Sequence, residues 1–292
     1  MATKLIFGCG YLGCRVARRW HDSGHDVYVV TRSSKHARDF EAAGLRPIVA
    51  DVTVPASLVN LPSAESVLYA VGYDRTANTS LEDVYVNGLS NALTALPPDV
   101  GGLLYISSTG VYGSTNGDTF DEDSPCRPDR EGGRACLAAE QVLAKHPLGR
   151  RSIILRLAGL YGPSRIPRRR EIALGLPLPV PFEGYLNLIH VDDAVSAVLA
   201  AEARGTPPRT YVVSDGHPVI RRAYYEELAR LLSAPAPQFE TPPENSAALA
   251  RARVDKCVSN ARVLRELGLQ LAYPSYREGL AAIIAAEAEA AA

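Results

Sequence analysis

Leu5-Ile6-Phe7-Gly8-Cys9-Gly10-Tyr11-Leu12-Gly13 is the stretch on which the fold turns. A short apolar run leads straight into three glycines spaced GxGxxG, and helix-type sequence begins at about residue 12. Gly8 permits a tight turn, Gly10 lets main chain approach a pyrophosphate, and Gly13 allows the helix to pack closely on the strand. Tyr11 and Leu12 complete the loop. The plain alternative is a glycine-rich turn in a domain that binds no nucleotide. The agreement of strand, glycines and helix in one place favours a dinucleotide site.

Outward from that motif, short apolar runs alternate with helix-type segments. The runs at 4–7, 27–31, 47–50, 67–71, 102–107 and 152–157 are predominantly apolar without strict alternation, the mark of strands covered on both faces in a parallel sheet. Helices are expected at 12–22, 34–43, 81–96 and 132–145, closed by Gly24, Gly44, Pro97-Pro98 and Pro147. This order predicts an α/β, doubly wound parallel sheet of the NAD(P)-binding Rossmann kind, with ligands outside the carboxyl ends of the strands. Beyond about residue 160 the texture changes, with three consecutive arginines and a proline-rich stretch at 177–181. We expect a dinucleotide-binding domain over 1–160, with returning segments near 185–214, and a smaller, interleaved substrate-binding α/β region over 161–292. In the latter, a strand at 210–213 precedes an amphipathic helix near 219–232, and 234–246, with four prolines, reads as a loop.

The chain has 292 residues, enough to bury roughly 75% of its unfolded surface. Its 31 Lys and Arg balance 32 Asp and Glu, which argues against nucleic-acid or membrane attraction. Only four residues are lysine, at 4, 35, 145 and 256. Five cysteines without a CxxC read as reduced thiols, with neither a disulfide framework nor a metal site. The motif begins too close to Met1 for a secretory leader, and no apolar run approaches the ~18 residues of a membrane span. The expectation is a cytoplasmic protein.

Residues after the strands carry the specificity. An acidic side chain after the second strand would accept from the 2′-hydroxyl of NAD, but the sequence offers Thr31-Arg32-Ser33. A cation and hydroxyls there favour the 2′-phosphate of NADP over NAD, against the alternative that Arg32 is a solvated surface residue. Asp51-Val52 after the third strand is expected near the adenine, and Ala70-Val71-Gly72 after the fourth near the cofactor backbone.

Further motifs follow in order: Ser107-Ser108-Thr109-Gly110-Val111-Tyr112-Gly113, Leu155-Arg156 through Leu160-Tyr161-Gly162-Pro163, Ile189-His190-Val191-Asp192-Asp193-Ala194, and Lys256 through Ser259-Asn260 to Leu267-Gly268. Together they resemble the extended short-chain dehydrogenase/reductase superfamily, in its NAD(P)-dependent epimerase/dehydratase group. The resemblance implies a YxxxK pair about twenty residues after the VYG segment, the Tyr moving the substrate proton and the Lys lowering its pKa. Aligned through Glu131 to Glu140, Gly132 stands at the tyrosine position and Cys136 at the lysine position, and neither can do the work. That loss is similar to an atypical, YeeZ-like branch of the superfamily. Gly159, Leu186 and Tyr85 stand where residues that hold nucleotide sugars are common in the family.

The resemblance leaves Ser108 as the catalytic candidate, polarising the reacting oxygen; a loop serine bonding its own backbone is the equal alternative. Tyr112 is expected to pack and His190 to be a hydrogen-bonded structural histidine. Arg165, Arg168, Arg169 and Arg170 fall in the loop where the family builds its substrate site, although a solvated charge run explains them as well. Two functions follow: an oxidoreductase or epimerase-like enzyme on a small, including anionic, alcohol or carbonyl substrate, or a non-catalytic NAD(P)-binding redox sensor or interaction module. A homodimer through the helices at 81–96 and 132–145 is expected from the family.

Overall fold

The computed structural model describes residues 1–291 apart from 75, 114, 115, 245, 247, 248 and 250–254. A seven-stranded sheet is built from β1 (Thr3–Phe7), β2 (Asp26–Thr31), β3 (Arg46–Val49), β4 (Ser66–Tyr69), β5 (Gly102–Ser108), β6 (Ser152–Leu157) and β7 (Arg209–Val213), in the order β3-β2-β1-β4-β5-β6-β7. β1 pairs in parallel with both β2 and β4, so Phe7 sits level with Val30 and Tyr69. The chain runs outward from β1 to one edge, returns, and runs to the other. The reversal between β1 and β4 is the point at which such sheets open to a ligand.

Helices α1 (Gly13–Asp22), α2 (Ser34–Ala42), α3 (Gly88–Ala95), α4 (Glu131–Lys145) and α5 (Val191–Arg204) provide crossovers. The first six strands stand within two residues of their sequence positions because buried parallel strands must be apolar on both faces. β3 is the exception in environment: as an edge strand it leaves Val49 56% exposed and tolerates Pro47. The helix expected at 81–96 carries a π-helical turn, Asp83–Asn87, before α3. Gly88 follows it in contact range of Val52 and Tyr69, where a Cβ would lie 2.8 Å from Val52 Cγ2.

The chain divides into two compact units, Met1–Val111 with Glu131–Arg156 and Val195–Tyr211, and Tyr112–Arg130 with Leu157–Ala194 and Val212–Ala292. In the first, Phe7, Tyr69 and Tyr105 form a ladder across β1, β4 and β5 with ring centroids 5.7 and 5.9 Å apart. Lys4, 3% exposed, donates to Glu202 Oε1 at 2.7 Å and to Ser66 Oγ at 3.1 Å, while Glu202 Oε2 accepts from Trp20 Nε1 at 2.6 Å. Strand, helix and the distant α5 are thereby joined through one carboxylate.

The second unit packs Tyr161, Leu178, Tyr224, Leu228, Tyr276 and Leu280 into its own core. The amphipathic helix starts at Arg221 rather than 219, because Val219–Ile220 pairs antiparallel with Tyr185–Leu186. The proline-rich 234–246 is not wholly a loop: Phe239–Glu240 pairs with Leu178–Pro179, and the Phe239 ring lies 5.3 Å from Phe182. Among the described residues no helix is long and apolar enough to cross a membrane, and no three His, Cys, Asp or Glu side chains are grouped to hold a metal ion.

Candidate functional site

The loop between β1 and α1 is shaped by two close approaches. Gly8 has φ 88°, and a Cβ there would lie 2.5 Å from the carbonyl carbon and oxygen of Ala70 and 2.6 Å from the amide nitrogen of Val71. A Cβ on Gly13 would run into the Gly8 carbonyl oxygen. These two glycines are required by the protein's own backbone. Gly10 differs: it is exposed, its φ is ordinary, and nothing stands within 4 Å of where a Cβ would be. Within the protein, then, no packing demand calls for glycine at this position. Arg15 Nη1 donates to Tyr11 O at 2.7 Å and its guanidinium lies 4.3 Å from the Tyr11 ring centroid, bracing the loop, while Leu12 is buried under α1. Among the described residues the first turn of α1 has no side-chain cap and no acidic residue. Its amides at Cys14, Arg15 and Val16 donate within the chain, to Gly10 O at 2.9 Å and to Leu12 O at 3.0 and 3.1 Å.

Ala70, Val71 and Gly72 leave β4 beside this loop, with Ala70 N donating to Phe7 O at 2.8 Å and open space around Gly72. Arg32, after β2, is exposed, and its Nη2 pairs at 3.3 Å with Asp74, also exposed. Asp74 is held below the usual carboxylate range first by the hydroxyl and amide of Thr76 and then by Arg32. The Ser33 hydroxyl accepts from His36 N at 3.2 Å and caps α2. The structure thus brings Gly8, Gly10, Gly13, Arg32, Ser33, Ala70, Val71 and Gly72 to the carboxyl ends of the neighbouring strands β2, β1 and β4.

Asp51 and Val52 follow β3. The Asp51 carboxylate is turned back on its own chain, accepting from Thr53 N at 2.8 Å and Thr53 Oγ1 at 2.7 Å. Val52 is buried, and its carbonyl accepts from Asn91 Nδ2 at 2.9 Å. On the other side of β4, Ser108 ends β5 half-buried; its Oγ accepts from Gly110 N at 3.0 Å, the local bond of a loop serine, and retains its proton to donate.

Helix α4 presents Gly132 with open space where a side chain would project. Cys136, four residues on, is half-buried, and burial followed by the nearby Glu140 charge pushes its thiol up to about 11, so it is neutral near pH 7. Glu140 itself is buried and was not singled out by sequence. It accepts from Ser107 Oγ at 2.5 Å and from Arg156 Nε and Nη2 at 3.0 and 2.7 Å, fastening α4 to β5 and β6. No local pattern announces a partner sixteen residues away, although a lone Glu on the apolar face of a helix is the sign that one exists.

In the second unit, Tyr112 packs its ring on Phe120 at 5.3 Å and its carbonyl accepts from Lys256 Nζ at 2.5 Å. His190 is buried, its Nδ1 accepting from Asp192 N at 3.2 Å, with Tyr161 edge-on at 5.3 Å. Both fit the structural roles expected of them. Ser164, Arg165, Ile166, Arg168 and Arg170 line an open groove of about 430 Å³. Arg168 is paired with Glu171 at 2.6 Å and Arg169 with Glu287.

Comparison with known proteins places these features in a family context. Residues 5–214 match the model of the NAD dependent epimerase/dehydratase family. Protein YeeZ of Escherichia coli K12 is 32% identical over 182 residues; the match takes in 62% of this chain and 62% of YeeZ, less than two thirds of that protein's length. A solved structure from Methylobacillus flagellatus, assigned provisionally as an NAD-dependent epimerase/dehydratase, is 32% identical and superposes with a TM-score of 0.79 over 98% of this chain and 99% of its own. DesIV, a dTDP-glucose 4,6-dehydratase of Streptomyces venezuelae solved with NAD and TYD bound, gives a TM-score of 0.82 over 98% and 97% of the two chains; at 19% identity it shares the fold.

Proposed function

The chain belongs to the NAD dependent epimerase/dehydratase family, and from that premise we propose that it is an oxidoreductase or epimerase-like enzyme that binds NADP in preference to NAD and acts on a small alcohol or carbonyl compound. One observation carries the reading: Gly8 and Gly13 are forced by main-chain contacts, whereas Gly10, between them, faces empty space on the exposed side of the loop. A loop that keeps room for a Cβ and does not use it is suited to a ligand's close approach.

In this reading the main chain of the Gly8 to Gly13 loop, at the amino end of α1, takes the pyrophosphate, with Tyr11 and Leu12 fixing the loop between them. Arg32 and Ser33 take the 2′-phosphate, the Arg32 guanidinium donating to the phosphoryl oxygens in place of, or together with, Asp74. Ala70, Val71 and Gly72 offer main chain to the middle of the cofactor. Asp51 and Val52 shape the adenine end through the turn that Asp51 closes. When bound, the nicotinamide supplies hydride exchange with a carbon bearing oxygen. Ser108 donates its O–H to that oxygen while its Oγ accepts from Gly110 N, which fixes the hydroxyl's position. The proton donor is a water or a residue other than Gly132 and Cys136. The arginine groove of the second unit is suited to carboxylate or phosphate groups.

The test is calorimetric titration with NADP and NAD, followed by a panel of alcohols, aldehydes and nucleotide sugars. Binding of NADP more tightly than NAD, with turnover of one substrate that falls in Ser108→Ala, is the expected result. A protein that binds neither dinucleotide refutes the proposal. Gly132 and the neutral Cys136 favour a second reading, a binding module without chemistry. That reading requires tight binding, no turnover across the panel, and unequal affinity for oxidised and reduced cofactor, because equal affinity shifts no equilibrium.

A further inference from the structure

Within the loop assigned to the dinucleotide, two of the five thiols meet. Cys9 lies between Gly8 and Gly10, and Cys14 is the second residue of α1. Their sulfurs are 3.4 Å apart, with the Cys9 thiol donating to Cys14 Sγ and the Cys14 thiol donating to the Cys9 carbonyl oxygen at 2.7 Å. Both are partly exposed. A disulfide requires about 2.05 Å between sulfurs, so the pair is within roughly 1.3 Å of bonding distance without rearrangement of distant structure. The other three cysteines, at 126, 136 and 257, belong to other parts of the chain.

We propose that Cys9 and Cys14 are a peroxide-oxidisable thiol pair whose closure to a disulfide lowers the affinity of the loop for its dinucleotide. The inference rests on the cofactor reading above for its second half only. Cys14 is the more acidic partner: the hydrogen bond from Cys9 lowers its pKa, as do the charges of Arg15 and Arg18, against the opposing effect of burial. Its place in the first helical turn acts in the same direction. Cys9 is held protonated, first by its bond to Cys14 and then by burial.

The chemistry balances with hydrogen peroxide as oxidant. The Cys14 thiolate attacks one peroxide oxygen, an S–O bond forms as the O–O bond breaks, and the departing hydroxide takes the Cys9 proton to become water. The Cys9 thiolate then attacks the sulfenic sulfur of Cys14; the S–S bond forms, the S–O bond breaks, and hydroxide leaves with a proton from solvent as a second water. Two thiols are oxidised by two electrons and one peroxide is reduced to two waters.

The consequence for the ligand follows from the two close contacts. Gly8 packs closely on Ala70 and Val71, and Gly13 on Gly8 O, so both ends of the loop have less room to adjust than the open position at Gly10. Movement of the sulfurs into bonding distance is therefore taken up by the main chain of residues 9 to 12, which includes the open approach at Gly10.

The experiment treats the reduced full-length protein with hydrogen peroxide, digests it with trypsin under alkylating conditions, and titrates the same samples with NADP. Cleavage after Lys4 and Arg15 releases both thiols on one peptide, Leu5–Arg15. The expected result is loss of two hydrogens from that peptide, a fall in NADP affinity of at least tenfold, restoration of both by dithiothreitol, and protection by prior NADP. Cys14→Ser and Cys9→Ser, each compared with its own reduced state, are expected to lose the peroxide response. Sulfinic acid at one cysteine without the internal link overturns the thiol pair. A formed link with unchanged affinity overturns its control of binding. A link that forms in a protein whose reduced state binds neither NADP nor NAD refutes the cofactor reading, and with it the effect on binding, while the disulfide itself stands.

Discussion

Exchanging Gly8 and Gly10 separately for alanine splits the stability role of the loop from its ligand role. At Gly8 the left-handed φ of 88° costs a side chain about 1–2 kcal/mol. The new Cβ would stand 2.5 Å from the Ala70 carbonyl, about 1 Å inside ordinary contact, against backbone that a central strand holds in place. Overpacking of that kind costs about 1–3 kcal/mol. The combined loss of about 2–5 kcal/mol lowers Tm by roughly 5–15 °C in a chain of this size. At Gly10 neither term applies, and alanine stabilises by up to about 1 kcal/mol through the unfolded chain. Its methyl group instead enters the space that the proposed cofactor site uses at Gly10, and we expect NADP affinity to fall at least tenfold, about 1.4 kcal/mol. Differential scanning calorimetry and titration calorimetry on the two variants read the two quantities. Gly10→Ala that binds NADP like the wild type refutes the cradle, and Gly8→Ala that melts with the wild type refutes the close approach to β4.

Other expectations follow from named contacts. Glu140→Ala leaves Arg156 buried without its carboxylate and Ser107 without its acceptor, and should cost about 3–5 kcal/mol in urea unfolding; a loss under about 1 kcal/mol would show that α4 is not fastened there. Arg32→Glu breaks only an exposed ion pair, so Tm should hold, while NADP affinity drops more than tenfold and NAD is spared; an unchanged ratio removes Arg32 from the site. Burial raises Asp215 to about 7, so the folded state keeps a proton that the unfolded state releases near pH 4. Its contribution to stability is full below about pH 4 and is lost as pH rises through about 7, roughly 4 kcal/mol in all. Asp215→Asn, which preserves the acceptor for His217 N, should remove that slope; parallel stability curves from pH 4 to 8 would contradict it.

The sheet was readable because a buried parallel strand must be largely apolar on both faces, which the six runs are apart from the buried and paired Lys4, Ser107, Ser152 and Arg156, and because the glycine spacing links β1 to α1. The two-residue strands were not. Val219–Ile220 and Phe239–Glu240 lie beside prolines or a helix start and draw their partners from 185–186 and 178–179, so no periodicity marks them. Within the site the glycines were legible as a pattern, but only geometry separates Gly8 and Gly13, which the protein needs for itself, from Gly10. The Arg32–Asp74 pair spans 42 residues and has no local trace, and Ser33, read from sequence as a phosphate contact, caps α2. Cys9 and Cys14 are five apart, a spacing that carries no motif and becomes a contact only when the loop folds over the helix start.

Glu202 also bears on the order in which the protein is made. The ammonium of Lys4 also meets the nearer Glu65 carboxylate at 3.2 Å, but its 2.7 Å partner and the acceptor of the Trp20 indole N–H are the same carboxylate, 198 and 182 residues later in the chain. On a ribosome adding about 5–20 residues per second, the earliest strand and helix emerge some 10–40 s before that partner. Until α5 is synthesised, Trp20 lacks its acceptor and Lys4 has only Glu65 and Ser66, so the last bonds of β1 and α1 close late in translation.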